Sequence, residues 1–220
     1  MKLFFKPLIT LIITISLSAV VSAQPFIKEI NHFKKLDSLN APPQNPILFI
    51  GSSSFTNWKD VNSYFPSYTI LNRAFGGSSL EHLVLYANDV IFKYEPRQIV
   101  IYCGENNLSA GPDVTGASIA QKYIALHQLI RSRLPKVPIV YISMKPSPSR
   151  EKYLPVMKEG NRLIKKYLRK QRRSTYVDVF SAMFTKDGAI MPDIFLSDKL
   201  HMNKKGYEIW QPIIQPYLLK

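Results

Sequence analysis

The chain has 220 residues, with 29 Lys+Arg against 15 Asp+Glu, a formal net charge of +14, 46% hydrophobic residues and one Cys. That length suits a single hydrophobic core, and 20% charged with 12% aromatic residues is a folding composition, which excludes wholesale disorder. One Cys and four His exclude a disulfide scaffold and a Cys/His zinc cluster.

The first 23 residues form a segment apart. Lys2 and Lys6 precede an apolar run from Leu8 to Val21, which closes on Val21-Ser22-Ala23. A basic start, a short apolar stretch and small residues before the cut are the marks of a secretory signal peptide. They predict cleavage after Ala23 and a secreted or periplasmic protein. A membrane anchor is the competing reading, but four of the 14 residues in the run are Ser or Thr, and a span needs about 20 apolar residues. A lipid-anchored form needs a Cys after the cut, where Gln24 stands. Residues 24–46, ending Ala41-Pro42-Pro43-Gln44-Asn45-Pro46, predict an N-terminal helix and an extended lead-in to a domain over residues 47–220.

Apolar, largely β-branched runs then alternate with helical patterns. Ile47–Ile50 is the first expected strand, ending at Gly51-Ser52-Ser53-Ser54. Tyr68–Leu71 is the second, followed by Asn72-Arg73-Ala74-Phe75-Gly76-Gly77-Ser78 and a helix over about Leu80–Phe92 with Ser79 as N-cap. Ile99–Cys103 is the third, running into Gly104-Glu105-Asn106-Asn107 before a helix over Ala117–Leu134 capped by Thr115. Ile139–Ser143 precedes a helix over Glu151–Lys170, Tyr176–Val179 is the fifth strand, and a last helix follows Asn203. Pro96, Pro135, Pro138 and Pro155 punctuate the boundaries. Continuous apolar strands alternating with helices argue for an α/β fold, a parallel sheet covered on both faces.

The helix before the fifth strand carries Lys165, Lys166, Arg169, Lys170, Arg172 and Arg173, with Leu163, Ile164, Tyr167 and Leu168 at helical spacing. Its bland reading is the solvated face of an outer helix; its functional reading is a weak contact with an anionic lipid or polysaccharide surface. An exported chain without a recognition motif predicts no nucleic-acid partner.

In open parallel sheets the site lies at the carboxyl ends of the strands. The segments there are weak one at a time: a serine-rich turn is usually a cap, and paired glycines usually relieve crowding. Together with Asp198-Lys199-Leu200-His201 they supply the parts of an acyl-transfer site on one sheet edge. A serine hydroxyl needs a base for its proton, and imidazole suits that role near neutral pH. An Asp three residues before the His reaches its other ring nitrogen within one turn, the spacing of Asp198 and His201. A developing oxyanion needs preorganised donors, and the N–H groups of Gly77 and Ser53 with the Asn106 amide can supply them.

These four segments resemble, in order and in separation, the conserved blocks of the SGNH hydrolases, also called GDSL-type esterases and lipases, over about Ile47 to Lys220. The resemblance implies a flavodoxin-like three-layer α/β/α sandwich with a five-stranded parallel sheet and no metal or organic cofactor. It implies Ser53 as nucleophile, His201 as general base, Asp198 as its orienting partner, and Gly77 and Asn106 completing the oxyanion hole beside the Ser53 N–H. The expected activity is a secreted serine ester hydrolase working through an acyl-enzyme, removing small acyl groups, acetyl first, from carbohydrate or similar esters. Acyl hydrolysis of lysophospholipids or phospholipids is the alternative, and a non-catalytic glycan- or lipid-binding module on the same fold is a further one.

Three positions depart from the family pattern: Ser52 stands where Asp is common, Ala74 replaces the first glycine of the second block, and Asn107 follows the block-three Asn in place of Asp. Among the remaining residues Cys103, His127, Trp58 and Phe65 read as core, His82 as an edge of the pocket or a local contact, and Arg73 as a loop or a substrate contact.

Overall fold

The computed structural model describes residues 24–220; the expected signal peptide over residues 1–23 lies outside them. In chain order the elements are α1 (Ile27–Leu39), β1 (Ile47–Gly51), α2 (Ser53–Thr56), α3 (Val61–Tyr64), β2 (Ile70–Asn72), α4 (Leu80–Leu85), α5 (Ala87–Val90), β3 (Gln98–Tyr102), α6 (Gly116–Arg133), β4 (Ile139–Ile142), α7 (Leu154–Leu168), β5 (Ser174–Val177) and α8 (Lys204–Ile214). Short 3₁₀ turns, including Glu105–Ser109 and Pro148–Tyr153, lie between them.

The five strands form one sheet in the order β2-β1-β3-β4-β5, parallel at every pairing. Side chains alternate across a strand, so each apolar run feeds two cores. Leu48 and Ile50 pack with Ile30 of α1, Leu83 of α4, Ile119 and Leu126 of α6, and Met157 and Ile164 of α7. Ile47 and Phe49 pack on the other face with Phe55, Trp58, Phe65 and the α8 residues Tyr207 and Trp210. Helix, sheet and helix make the three layers expected of an α/β/α sandwich. The chain passes from β1 to β2 on one side and then crosses back from β2 to β3 on the other side of β1, and this reversal opens a crevice at the carboxyl ends of β1 and β3.

Boundaries differ from expectation where side chains outside the pattern intervene. The helix over Leu80–Phe92 is broken into α4, α5 and a 3₁₀ turn at Phe92–Tyr94, because Tyr86 leaves helical geometry and its hydroxyl donates to the Pro25 carbonyl at 2.5 Å. The helix over Glu151–Lys170 begins only at Leu154, with Pro155 in its first turn, where a missing N–H costs nothing. The last strand starts two residues early and β2 ends one residue late.

Helix α1 is pinned to the second block by charge. Asp37 accepts from Arg73 at 2.5 Å, Lys93 at 2.6 Å and Tyr94 at 2.7 Å, with its side chain only 9% exposed. Burial works to raise this carboxyl, but the bonds from Lys93, Tyr94 and Arg73 outweigh it and hold it below the usual value.

Candidate active site

β1 ends in glycine for a steric reason. Gly51 has φ 140°, and a Cβ there would stand 1.8 Å from the Tyr102 carbonyl oxygen of β3. The chain turns at once into α2, with the Ser52 N–H bound to that same oxygen at 3.0 Å. This turn separates the three serines. Ser52 and Ser54 are 2% exposed, whereas Ser53 remains partly open. Tyr207 of α8 donates to the Ser54 carbonyl at 2.9 Å, fixing the segment from the opposite layer. The Ser53 hydroxyl makes no hydrogen bond among the described residues.

The loop after β2 folds back onto β1. The Phe75 N–H and the Ser78 hydroxyl both donate to the Gly51 carbonyl, each at 2.9 Å. Gly76 lies against the serine, since a Cβ on it would stand 3.9 Å from the Ser53 Cβ. Gly77 takes φ 80°, a left-handed conformation that favours glycine, and the Phe26 ring faces it 3.6 Å from where a Cβ would lie. The loop after β3 closes the set: the Asn106 amide donates to the Ser78 carbonyl at 2.9 Å. Ser53, Gly77 and Asn106 thus stand on three loops stitched to one another at one sheet edge.

Asp198 and His201 meet through their side chains, Nδ1 to Oδ2 at 2.6 Å. The other carboxylate oxygen accepts from the backbone N–H groups of Leu200 and His201, both at 2.9 Å. The ring hydrogen bond first, then these two N–H groups, hold the Asp198 carboxyl down to about 2. An ionised carboxylate only accepts, so His201 Nδ1 carries the proton between them, and Nε2 is the ring nitrogen turned away from Asp198. No hydrogen bond joins the Ser53 hydroxyl to this ring among the described residues; in unliganded sites that contact is often loose and tightens on substrate.

A buried ion cluster stands behind these groups, and motif reading missed it. Glu105 and Lys145 are 4% and 1% exposed. Lys145 Nζ lies 3.2 Å from Glu105 Oε1 and donates to the Leu200 carbonyl at 2.8 Å. Tyr102 donates its hydroxyl to Glu105 Oε2. Arg150 donates to the Glu105 carbonyl at 2.7 Å and to Asn106 Oδ1 at 3.0 Å. Burial pushes the Lys145 ammonium below its usual value, with the Glu105 charge opposing it. The only sequence signal was polar residues, Lys145 and Arg150, in the loop leaving a buried strand.

The other residues resolve locally. Asn107 accepts from the Leu80 N–H at 3.2 Å and donates to Glu81 at 2.6 Å, so it caps α4. Ala74 donates its N–H to Asn72 Oδ1 at 3.0 Å. His82 forms a capping box with Ser79, and Arg73 is the partner of Asp37. Cys103 is buried and its thiol is pushed up to about 12, which removes it as a nucleophile. His127, Trp58 and Phe65 lie in the core. A cleft of about 290 Å³ lies beside Gly76, walled by Phe33 of α1, Thr56, Ala74 and Phe75. Among the described residues no three His, Cys, Asp or Glu side chains are grouped to hold a metal ion.

A model of the GDSL-like lipase/acylhydrolase family matches residues 43–209. Among solved structures, a Streptococcus pneumonia protein provisionally assigned as a platelet activating factor aligns at 22% identity and TM-score 0.74, over 87% of this chain and 92% of that one. A GDSL-like lipase from Bacteroides thetaiotaomicron aligns at 17% identity and TM-score 0.70, over 86% and 96%. A catalytic mutant of an acetylxylan esterase from Geobacillus stearothermophilus aligns at 14% identity and TM-score 0.62, over 79% and 94%. No curated protein matches the chain.

Proposed function

The chain belongs to the GDSL-like lipase/acylhydrolase family, and on that premise we propose that it hydrolyses esters through an acyl-enzyme formed on Ser53. The observation that carries this reading is the Asp198–His201 pair at 2.6 Å on the sheet edge where Ser53 is the accessible one of three adjacent serines. Ser53 Oγ attacks the ester carbonyl carbon while His201 Nε2 takes its proton, and Asp198 holds the resulting imidazolium. The carbonyl oxygen becomes an oxyanion that accepts from the N–H groups of Ser53 and Gly77 and from Asn106 Nδ2. Collapse expels the alcohol, which takes its proton from His201. Water activated by the same ring then frees the acid and restores Ser53.

The acyl group is small, acetyl first, on a carbohydrate or similar ester. The fold likeness to an acetylxylan esterase supports this choice. The second reading is acyl hydrolysis of a lysophospholipid or phospholipid, favoured by the apolar cleft beside Gly76. Chain-length series on simple esters separate the two: a fall in turnover beyond acetyl supports the first, a rise toward longer acyl groups the second. Export to the periplasm or beyond rests on the basic and apolar pattern of residues 1–23, and no helix of the described residues is long and apolar enough to cross a membrane. The exposed cations of α7 favour a weak contact with an anionic surface.

A fluorophosphonate probe, which reacts with an activated serine, tests the assignment. Modification mapped to Ser53, with ester turnover abolished in Ser53→Ala and His201→Ala variants that keep the native melting temperature, is the expected result. Modification elsewhere would reassign the nucleophile, and a folded protein with neither labelling nor turnover would leave a non-catalytic binding module.

A further inference from the structure

An asparagine side chain offers a donor face and an acceptor face of almost the same outline, so its neighbours alone decide which one a substrate meets. In Asn106 both faces are assigned. Oδ1 accepts from Arg150 Nη2 at 3.0 Å, and Nδ2 donates to the Ser78 carbonyl at 2.9 Å. A flipped amide would set its N–H groups against the guanidinium and its oxygen against that carbonyl. With one Nδ2 proton on Ser78, the second is left for a ligand.

We propose that Arg150 is a positioning residue for ester hydrolysis: it locks the Asn106 amide donor-side inward, and through Glu105 and Lys145 ties that amide to the peptide preceding His201. The proposal rests on the oxyanion role given to Asn106 above. Three contacts of one guanidinium hold the Glu105–Asn106 pair: Asn106 Oδ1, the Glu105 carbonyl at 2.7 Å and Glu105 Oε1 at 3.3 Å. A planar fork can make them together, and a lysine ammonium cannot. Glu105 in turn meets Lys145, whose Nζ donates to the Leu200 carbonyl. The base loop and the oxyanion loop are therefore held by one buried ion cluster.

The Arg150 guanidinium rests directly on Asn106 Oδ1, so its charge polarises the amide toward donation from Nδ2. A donor held in this way favours a transition state in which negative charge appears on the substrate oxygen, and it does so without reorganisation. Buried ion clusters are poor sources of stability, since well-packed apolar residues often serve as well or better. Geometry and field at the site are what this one supplies.

A double-mutant cycle on a soluble acetyl ester tests the proposal, with melting temperatures recorded for every variant. Arg150→Ala should lower kcat about 10–10²-fold while KM moves less than about threefold, since an interaction made only in the transition state is lost. Arg150→Lys should recover little of the rate. The double variant Arg150→Ala/Asn106→Ala should be no slower than Asn106→Ala alone, because Arg150 acts through the amide. Arg150→Gln, nearer in size, carries the cycle if the alanine variant does not fold. Multiplying losses, or a change confined to KM, would make Arg150 a substrate contact and overturn the proposal, as would a normal rate without the guanidinium. A wild-type protein without turnover, or an Asn106→Ala variant of unchanged rate, would instead strike the oxyanion assignment, and this inference would fall with it.

Discussion

Three hydroxyls in a row after β1 share a residue type and differ in what the backbone does with them. Ser52 turns inward as its N–H binds the Tyr102 carbonyl, and Ser54 is held in the core beneath Tyr207. Ser53 is left at the surface of the crevice, first residue of α2, beside Gly76. Ser52→Ala and Ser54→Ala should therefore keep labelling at Ser53 and keep turnover within about tenfold, whereas Asn106→Ala, which removes one proposed oxyanion donor, should cost about 10²–10³ in kcat. Steady-state rates on a soluble acetyl ester measure both, and a Ser52→Ala or Ser54→Ala variant as slow as Ser53→Ala would break the assignment. At this scale the sequence was legible where chemistry is local. Asp198 and His201 lie three residues apart and close within a turn. Arg150 was not legible, because its partner Asn106 is 44 residues away and only the fold brings them together. Asn107 was readable as a departure from a pattern, but its cap on Leu80 belongs to another loop.

Between elements, the strands were legible because burial on both faces demands uninterrupted apolar runs, and β1, β3 and β4 have them. Helix ends were less so, since a period of 3.6 says nothing about the tyrosine or proline that stops the helix. Tyr86 breaks one such run and Pro155 delays another. The packing of α6 against α7 and β5 has its own titration. His127 of α6 is 1% exposed, its Nδ1 faces the Tyr167 hydroxyl of α7 at 3.0 Å and its Nε2 the Ser174 hydroxyl of β5 at 2.9 Å. Burial first, then the Arg131 charge, pushes this imidazole down to about 4 from 6.5. The unfolded chain binds the proton at a pH where the folded one refuses it, so the stability His127 gives is complete above pH 6.5 and is lost as pH falls toward 4. The loss amounts to about 3 kcal/mol at roughly 1.4 kcal/mol per unit. His127→Gln keeps the hydrogen-bonding reach and cannot titrate, so its melting temperature should flatten across that window relative to wild type. Parallel curves for the two proteins would show that folding does not move the His127 titration.

Across the whole molecule, charge and chemistry sit at opposite ends. All strands run one way, so the candidate site occupies the edge where they end, and α7 carries the chain back to the edge where they begin. Lys165, Lys166, Arg169, Lys170, Arg172 and Arg173 cluster at that far edge, immediately before Ser174 opens β5. All six are exposed, and none is in an ion pair among the described residues, while Lys34, Lys93, Lys204 and Lys205 elsewhere are paired. A patch of this kind attracts an anionic surface within a Debye length of about 8–10 Å, and the attraction weakens with salt. Its placement bears on the substrate. The five residues of β1 put about 17 Å, at about 3.3 Å per residue, between the two edges. A molecule resting on a membrane through the basic edge would hold Ser53 away from the lipid esters and open to soluble or polysaccharide esters. Wild type should thus sediment with phosphatidylglycerol-containing vesicles at low salt and not with neutral ones, while Lys165→Glu/Arg169→Glu/Arg172→Glu should lose that binding and keep its turnover of a soluble acetyl ester. If the triple variant instead lost hydrolysis of vesicle lipid along with binding, the surface would be presenting substrate to the site, and the phospholipid reading would displace the acetyl one.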